Sequence, residues 1–221
     1  MTKHKLQRFE DLKTFDRVFQ YPRELLHEFP PLQGKWNSVV FKRDAPIVVE
    51  LGCGRGEYTI GLHKNDPSKN YIGIDIKGAR LWRGAKTSHD ENLTHVAFIR
   101  TAIEFIYQFF ETGELSEIWI TFPDPQSGLP REKRRLTHPN FLHMYQKLLK
   151  KDGLLHLKTD NIPFYEYTVE MLAGFGGEIQ ISTADLYNNP PEGFDLDIQT
   201  TYEKIFLKEG KQISFLSYRF S

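Results

Sequence analysis

Val48-Val49-Glu50-Leu51-Gly52-Cys53-Gly54-Arg55-Gly56-Glu57 decides how this chain folds: an apolar run ends in an acid, followed by three glycines spaced by single residues. The run reads as a strand. The glycines read as a loop on which a ligand can lie, because glycine has no Cβ to block close approach and adopts backbone angles other residues avoid. The dinucleotide fingerprint would place its third glycine at position 57, which is Glu57 here, and the Gly-Lys-Ser/Thr end of a phosphate loop is absent. Glu50, at the strand's tip, is instead placed to accept from an ammonium group.

The next apolar run, Tyr71-Ile72-Gly73-Ile74-Asp75-Ile76, also ends on an acid. In a βαβ unit Asp75 would accept from the two vicinal hydroxyls of a ribose. A nicotinamide cofactor asks the same of an acid there, so the glycine spacing chooses. It favours S-adenosylmethionine, whose amino-acid end carries the ammonium that Glu50 would meet.

Working outward, strand and helix signals alternate from Ile47 to about Ala173, which predicts a parallel sheet with crossover helices. Strands are expected at 47–51, 70–75, 95–100, 116–122 and 153–159, with helices from about 55, from about 78, over 102–111, up to about Lys151 and from about Phe164 to Gly174. Two final runs, Gly177 to Asp185 and Tyr202 to Phe220, alternate β-branched and aromatic residues and suit closing antiparallel strands. The fold class is α/β: a Rossmann-like, doubly wound, mostly parallel sheet of seven strands with one antiparallel strand near an edge. Residues 1–44, interrupted at Pro22, Pro30 and Pro31, read as an arm packing on the 45–221 domain, with one helix.

A length of 221 residues suits one α/β domain with a full core. The lone Cys53 excludes an intramolecular disulfide and reads as a small packing residue. No apolar stretch reaches membrane-span length, so a cytoplasmic protein is expected, as monomer or homodimer. The eight histidines show no ligand spacing, so no metal is expected. Net charge is zero, which argues against a general nucleic-acid binder. The charges are nonetheless unevenly distributed. Arg131, Lys133, Arg134 and Arg135 cluster, with Lys147, Lys150 and Lys151 on the helix that follows, while acids gather at Asp185, Glu192, Asp195 and Asp197. A polarised molecule can present a phosphate-binding face without a basic average.

Phe122-Pro123-Asp124-Pro125 ends a central strand with an acid between two prolines. A rigid carboxylate at a strand's C-terminal end sits where open α/β sheets bind ligands. The basic cluster follows directly, before a helix whose N-cap is expected at Thr137, and the combination suggests a polyanionic substrate. Leu157-Lys158-Thr159-Asp160-Asn161 delivers another acid to the same edge. Asp124 and Asp160, from neighbouring strands, could both face one guanine, though Asp160 is equally placed to cap the next helix.

These pieces resemble the bacterial tRNA (guanine-N7)-methyltransferases from about Ile47 to the C-terminus. The resemblance rests on Glu50-Leu51-Gly52-Cys53-Gly54-Arg55-Gly56, Tyr71 to Asp75, Phe122 to Pro125, Lys133-Arg134-Arg135-Leu136-Thr137, Lys158-Thr159-Asp160 and Thr200-Thr201-Tyr202-Glu203. It implies a class I methyltransferase fold and methyl transfer from S-adenosylmethionine to N7 of guanine 46 in the tRNA variable loop. By the same resemblance Glu50, Gly52, Gly54, Gly56, Asp75, Ile76 and either Thr101 or Ala102 hold the cofactor, and Asp124 touches it at the catalytic centre. Asp160, Thr200, Thr201, Tyr202 and Glu203 meet the substrate, with Arg131, Lys133, Arg134 and Arg135 on its phosphates. The chain departs from the family at Gly128, where relatives carry a substrate-contacting lysine. That departure keeps two alternatives open: a methyltransferase of the same fold acting on another RNA or a small molecule, or a noncatalytic tRNA-binding subunit.

Overall fold

The computed structural model describes residues 3–21, 32–192 and 198–221. The strands are β1 (Val18–Phe19), β2 (Ile47–Leu51), β3 (Asn70–Ile74), β4 (Val96–Ile99), β5 (Leu115–Thr121), β6 (Leu149–Thr159), β7 (Glu178–Thr183) and β8 (Ser214–Arg219). They form one sheet in the order β1-β4-β3-β2-β5-β6-β8-β7, in which β8 runs antiparallel to both its neighbours and the other pairs are parallel. The α-helices are α1 (Lys3–Thr14), α2 (Glu57–Asn65), α3 (Gly78–Asp90), α4 (Pro139–Leu148), α5 (Ile162–Leu172) and α6 (Thr201–Lys208). Every residue of β2 is buried, as a central parallel strand covered on both faces requires. The core splits accordingly: Ile72, Ile74, Ile118 and Leu155 lie in one cluster, Val48, Tyr58, Phe98 and Phe215 in the other.

The sheet holds eight strands where the sequence predicts seven, because Val18–Phe19 of the N-terminal arm adds to β4. The arm's helix α1 packs on α3, while Pro22, Pro30 and Pro31 fall outside the described residues. The expected helix 102–111 is a short 3-10 segment, Ile103–Gln108. The expected strand 202–220 divides: its first part is α6, and only Ser214–Arg219 is strand. The aromatic alternation misleads there because Thr200, whose hydroxyl accepts from the Glu203 N–H at 3.1 Å, starts a helix.

The expected helix boundaries shift in a similar way. The helix after the basic segment starts from His138, whose ring Nδ1 accepts from the Asn140 N–H, while Thr137 is fully buried and shares a hydrogen bond with Thr168. It ends at Leu148, so Lys150 and Lys151 lie on β6 at its N-terminal end. They lie at the opposite end of β6 from Asp160. Asn161 rather than Asp160 caps α5, accepting from the Phe164 N–H at 2.9 Å.

Candidate active site

Strand order reverses at β2, which has β3 on one side and β5 on the other. In open α/β sheets the crevice outside the strand C-termini at such a switch point is where ligands bind. The glycine loop leaves β2 there and the Pro-Asp-Pro loop leaves β5 beside it. Gly52, at φ +73, is exposed, and a Cβ on it would meet nothing within 4 Å, so its backbone faces open space. Gly56 closes the loop against the sheet, where a Cβ would stand 2.8 Å from the Phe98 ring.

Asp75 locks this loop to β3. Its Oδ2 accepts from the Gly54 N–H at 2.9 Å and its Oδ1 from the Lys77 N–H at 2.7 Å. Each oxygen keeps a second lone-pair direction for a hydroxyl. Ile76, next along, is 59% exposed. With Arg100 it borders a cleft of about 630 Å³ walled also by Val18, Gln20 and Tyr21 of the arm. Thr101 is buried and Ala102 begins the 3-10 segment at the adjoining tip of β4. Cys53 is buried, and burial pushes its thiol well above the ordinary value, away from thiolate chemistry.

Glu50 is where the structure departs from an acid open to an ammonium group. Only 2% exposed, its carboxylate accepts from the Thr59 N–H at 2.8 Å, from the Thr59 hydroxyl, and from the Thr121 hydroxyl at 2.7 Å. It ties β2 to the first turn of α2 and to the end of β5, and so holds the two functional loops in register. Burial raises its pKa from the ordinary glutamate value of 4.5 to about 7. Because the folded-state value is the higher, this carboxyl favours folding fully below the unfolded value, and the contribution is lost as pH rises through 7. Gln can keep the same partners without the buried charge, so Glu50→Gln should gain stability relative to wild type between pH 5 and 8, by up to about 3 kcal/mol. Urea unfolding at the two pH values measures this; a difference that does not change with pH contradicts it.

The Pro-Asp-Pro loop is held by backbone in a form non-glycine residues seldom adopt. Phe122 and Gln126 both have φ +47. The Phe122 N–H donates to the Lys158 carbonyl at 2.7 Å, and Asp124 Oδ1 accepts from the Gln126 N–H at 3.0 Å. Between two prolines, the exposed Asp124 is therefore aimed by its own turn. Gly128 adopts φ +90 and ψ 146, a region open essentially to glycine alone. A lysine here would strain the turn, which is a backbone reason for the departure at this position. The short helical segment Leu129–Arg134 then exposes Arg131, Lys133 and Arg134. Arg135 is drawn back, its guanidinium 4.3 Å from the centre of the Tyr167 ring.

β5 and β6 pair Thr121 with Lys158, which brings the tips carrying Asp124 and Asp160 side by side. Asp160 Oδ2 meets Lys211 Nζ at 3.0 Å, and that ammonium lies over the Phe206 ring at 4.2 Å. Phe206 in turn contacts Phe122 and Tyr202, the latter 46% exposed. The other residues of the Thr200–Glu203 segment point inward. Thr201 donates through its N–H and hydroxyl to the two oxygens of Glu57, at 2.6 and 2.5 Å, and Thr200 caps α6. Glu203 is fully buried with its Oε1 2.6 Å from Lys158 Nζ and 2.8 Å from the Tyr187 hydroxyl. Burial pulls the Lys158 pKa below the ordinary lysine value against the upward pull of Glu203.

Thr59, Thr121 and Lys211 thus enter the site without a motif of their own in the sequence, and Glu57 and Lys158, which lie inside quoted motifs, without a role of their own. Lys158 carried a signal, since a lysine inside an apolar strand run needs a buried partner. Among the described residues no group of His, Cys, Asp and Glu could hold a metal ion, and no helix is long and apolar enough to cross a membrane.

A doubly wound sheet whose glycine loop leaves β2 at the switch point, with β8 antiparallel near one edge, has the class I methyltransferase fold. Solved structures of this fold agree: the chain superposes on an antibiotic-related methyltransferase with TM-score 0.62 at 20% identity, covering 84% of this chain and 92% of that one. It superposes on the 16S rRNA methyltransferase KamB with TM-score 0.64 at 12% identity, covering 85% and 93%. A family model described as putative methyltransferase matches residues 44–216. The tRNA (guanine-N(7)-)-methyltransferase of Christiangramia forsetii is 50% identical over 99% of this chain and 98% of its own length. That of Cytophaga hutchinsonii is 42% identical over 100% and 99%. The chain belongs to the tRNA (guanine-N(7)-)-methyltransferase family.

Proposed function

We propose that this chain transfers a methyl group from S-adenosylmethionine to N7 of guanine 46 in the variable loop of tRNA, in the cytoplasm where that RNA is found. The observation that carries the reading is Asp124, an exposed carboxylate fixed by an unusual backbone turn beside the glycine loop at the switch point. The donor set fits the cofactor. The open backbone at Gly52 accommodates close approach, Asp75 offers both oxygens to vicinal hydroxyls, and the exposed Ile76 gives an apolar surface with Thr101 or Ala102 beside it. Bound there, S-adenosylmethionine supplies an electrophilic methyl carbon on a cationic sulfur. Glu50 and Gly54 hold the loop that receives it.

Guanine N7 has a lone pair and no proton, so the chain's residues need no general base. Their task is to position the purine in line and to stabilise the positive charge it acquires. Asp124 and Asp160, on adjacent strand tips, supply negative charge on that side. Asp160 is held by Lys211 until a base arrives to share it. Arg131, Lys133 and Arg134 are exposed, with no ion-pair partner among the described residues, and grip RNA phosphates. Labelled S-adenosylmethionine with tRNA transcripts tests the position: a transcript carrying guanine 46 should take label, and one with adenine there should not. Equal labelling of both would move the target elsewhere.

A further inference from the structure

A cleft of about 720 Å³ opens between α2, α3 and the start of α6. Arg55, Lys64, Arg83 and Lys204 line it, with Ile60 and Ile198 at its floor. It shares no residue with the Leu129–Arg134 segment. Lys64 is neutralised by Glu91 at 2.8 Å, as Lys86 is by Asp90 at 2.7 Å elsewhere on α3. Arg55, Arg83 and Lys204 are exposed and have no ion-pair partner among the described residues. Among the described residues the one carboxylate in the wall, Glu57, has both oxygens taken by Thr201. In a chain of zero net charge, three cations that face one cleft without an ion-pair partner among the described residues form a local field that attracts anions.

The sequence sets these three far apart, at positions 55, 83 and 204, and the fold converges them. The hydrogen bonds between Glu57 and Thr201 fix α6 to α2, and Lys204 and Arg83 line the same cleft. Arg55 stands between Gly54 and Gly56, so the cleft begins at the outer side of the cofactor loop. An open channel lined by cations on long side chains suits a sugar–phosphate backbone, which needs charge at intervals and no enclosure.

We propose that this cleft holds a second stretch of tRNA backbone, separate from the one gripped by Arg131, Lys133 and Arg134, while the target guanine is in the site. The inference rests on the tRNA methyltransferase reading above. Neither Arg83 nor Lys204 is among the residues assigned above to the cofactor or the target base, so Arg83→Glu/Lys204→Glu tests the cleft, with Arg83→Ala and Lys204→Ala as milder variants should the double one fail to fold. Binding of unmodified tRNA is measured across a salt series, with ethylation interference to map the phosphates the protein holds.

The expected result is a tenfold or greater loss of tRNA affinity at low salt and a slope of log affinity against log salt that is shallower by roughly one for each phosphate the variant no longer neutralises. S-adenosylmethionine affinity should be unchanged, KM for tRNA raised and kcat kept. The phosphates released should differ from those released by Arg134→Glu. Wild-type affinity, slope and phosphate map in the variants, with tRNA still bound, would overturn this inference and leave the function intact. Failure of the wild-type protein to bind tRNA at all would overturn both.

Discussion

Asp124→Asn is expected to lower kcat for tRNA methylation by roughly a hundredfold or more, in line with the loss of one preorganised electrostatic partner, while S-adenosylmethionine affinity changes only a few-fold. Asn keeps the size of the side chain, and its oxygen can still accept from the Gln126 N–H, so the turn between Pro123 and Pro125 survives. What it removes is the negative charge that the proposed function sets against a purine turning cationic as N7 is methylated. Single-turnover rates at saturating cofactor and tRNA isolate that step. Full turnover in the variant would assign Asp124 to binding alone and leave Asp160 as the only carboxylate at the base.

The largest effect on stability is expected at Lys158 and Glu203. Both are fully buried and 2.6 Å apart, and Lys158 also donates to the Ile198 carbonyl at 3.3 Å. Removing one partner leaves an uncompensated charge in the core, so Lys158→Met or Glu203→Leu should each cost about 3–5 kcal/mol in urea unfolding. The double variant should recover much of that loss, because two apolar groups of similar size need no compensation. Additive losses in the double variant would show that the two residues do not act as a pair. Since Glu203 sits on α6 and Lys158 carries the carbonyl that fixes Phe122, the single variants should also loosen the turn that carries Asp124.

The strand tips are legible from sequence because each couples an apolar run to a residue with no business in a core: Glu50, Asp75, Asp124 and Asp160. Their grouping follows from sheet order, and the glycine spacing distinguishes the loop from a dinucleotide site. The orientation of Glu50 is not legible, since a carboxylate at a buried strand's end can turn outward to a ligand or inward to hydroxyls, and Thr59 and Thr121 are recruited from other elements. Helix α6 reads as strand, although Thr200 followed three residues later by Glu203 is a capping-box spacing. The box forms only by half: Thr200 accepts from the Glu203 N–H, and the Glu203 carboxylate is taken by Lys158 instead of the cap. Competition of this kind, between a local cap and a distant buried cation, is invisible until the strands are packed. Gly128 is legible as a departure but not as a requirement, because its φ of +90 is set by the turn leading into the basic segment.

The most direct test of the account is to incubate the protein with unmodified tRNA and S-adenosylmethionine, digest the RNA to nucleosides and identify the methylated product by mass spectrometry against standards. The expected product is 7-methylguanosine, formed without a titrating general base, and therefore at a rate that is flat in pH across the neutral range once the fold is stable. Methylation at N1 or at the exocyclic amine of guanine, positions that must lose a proton, would contradict it.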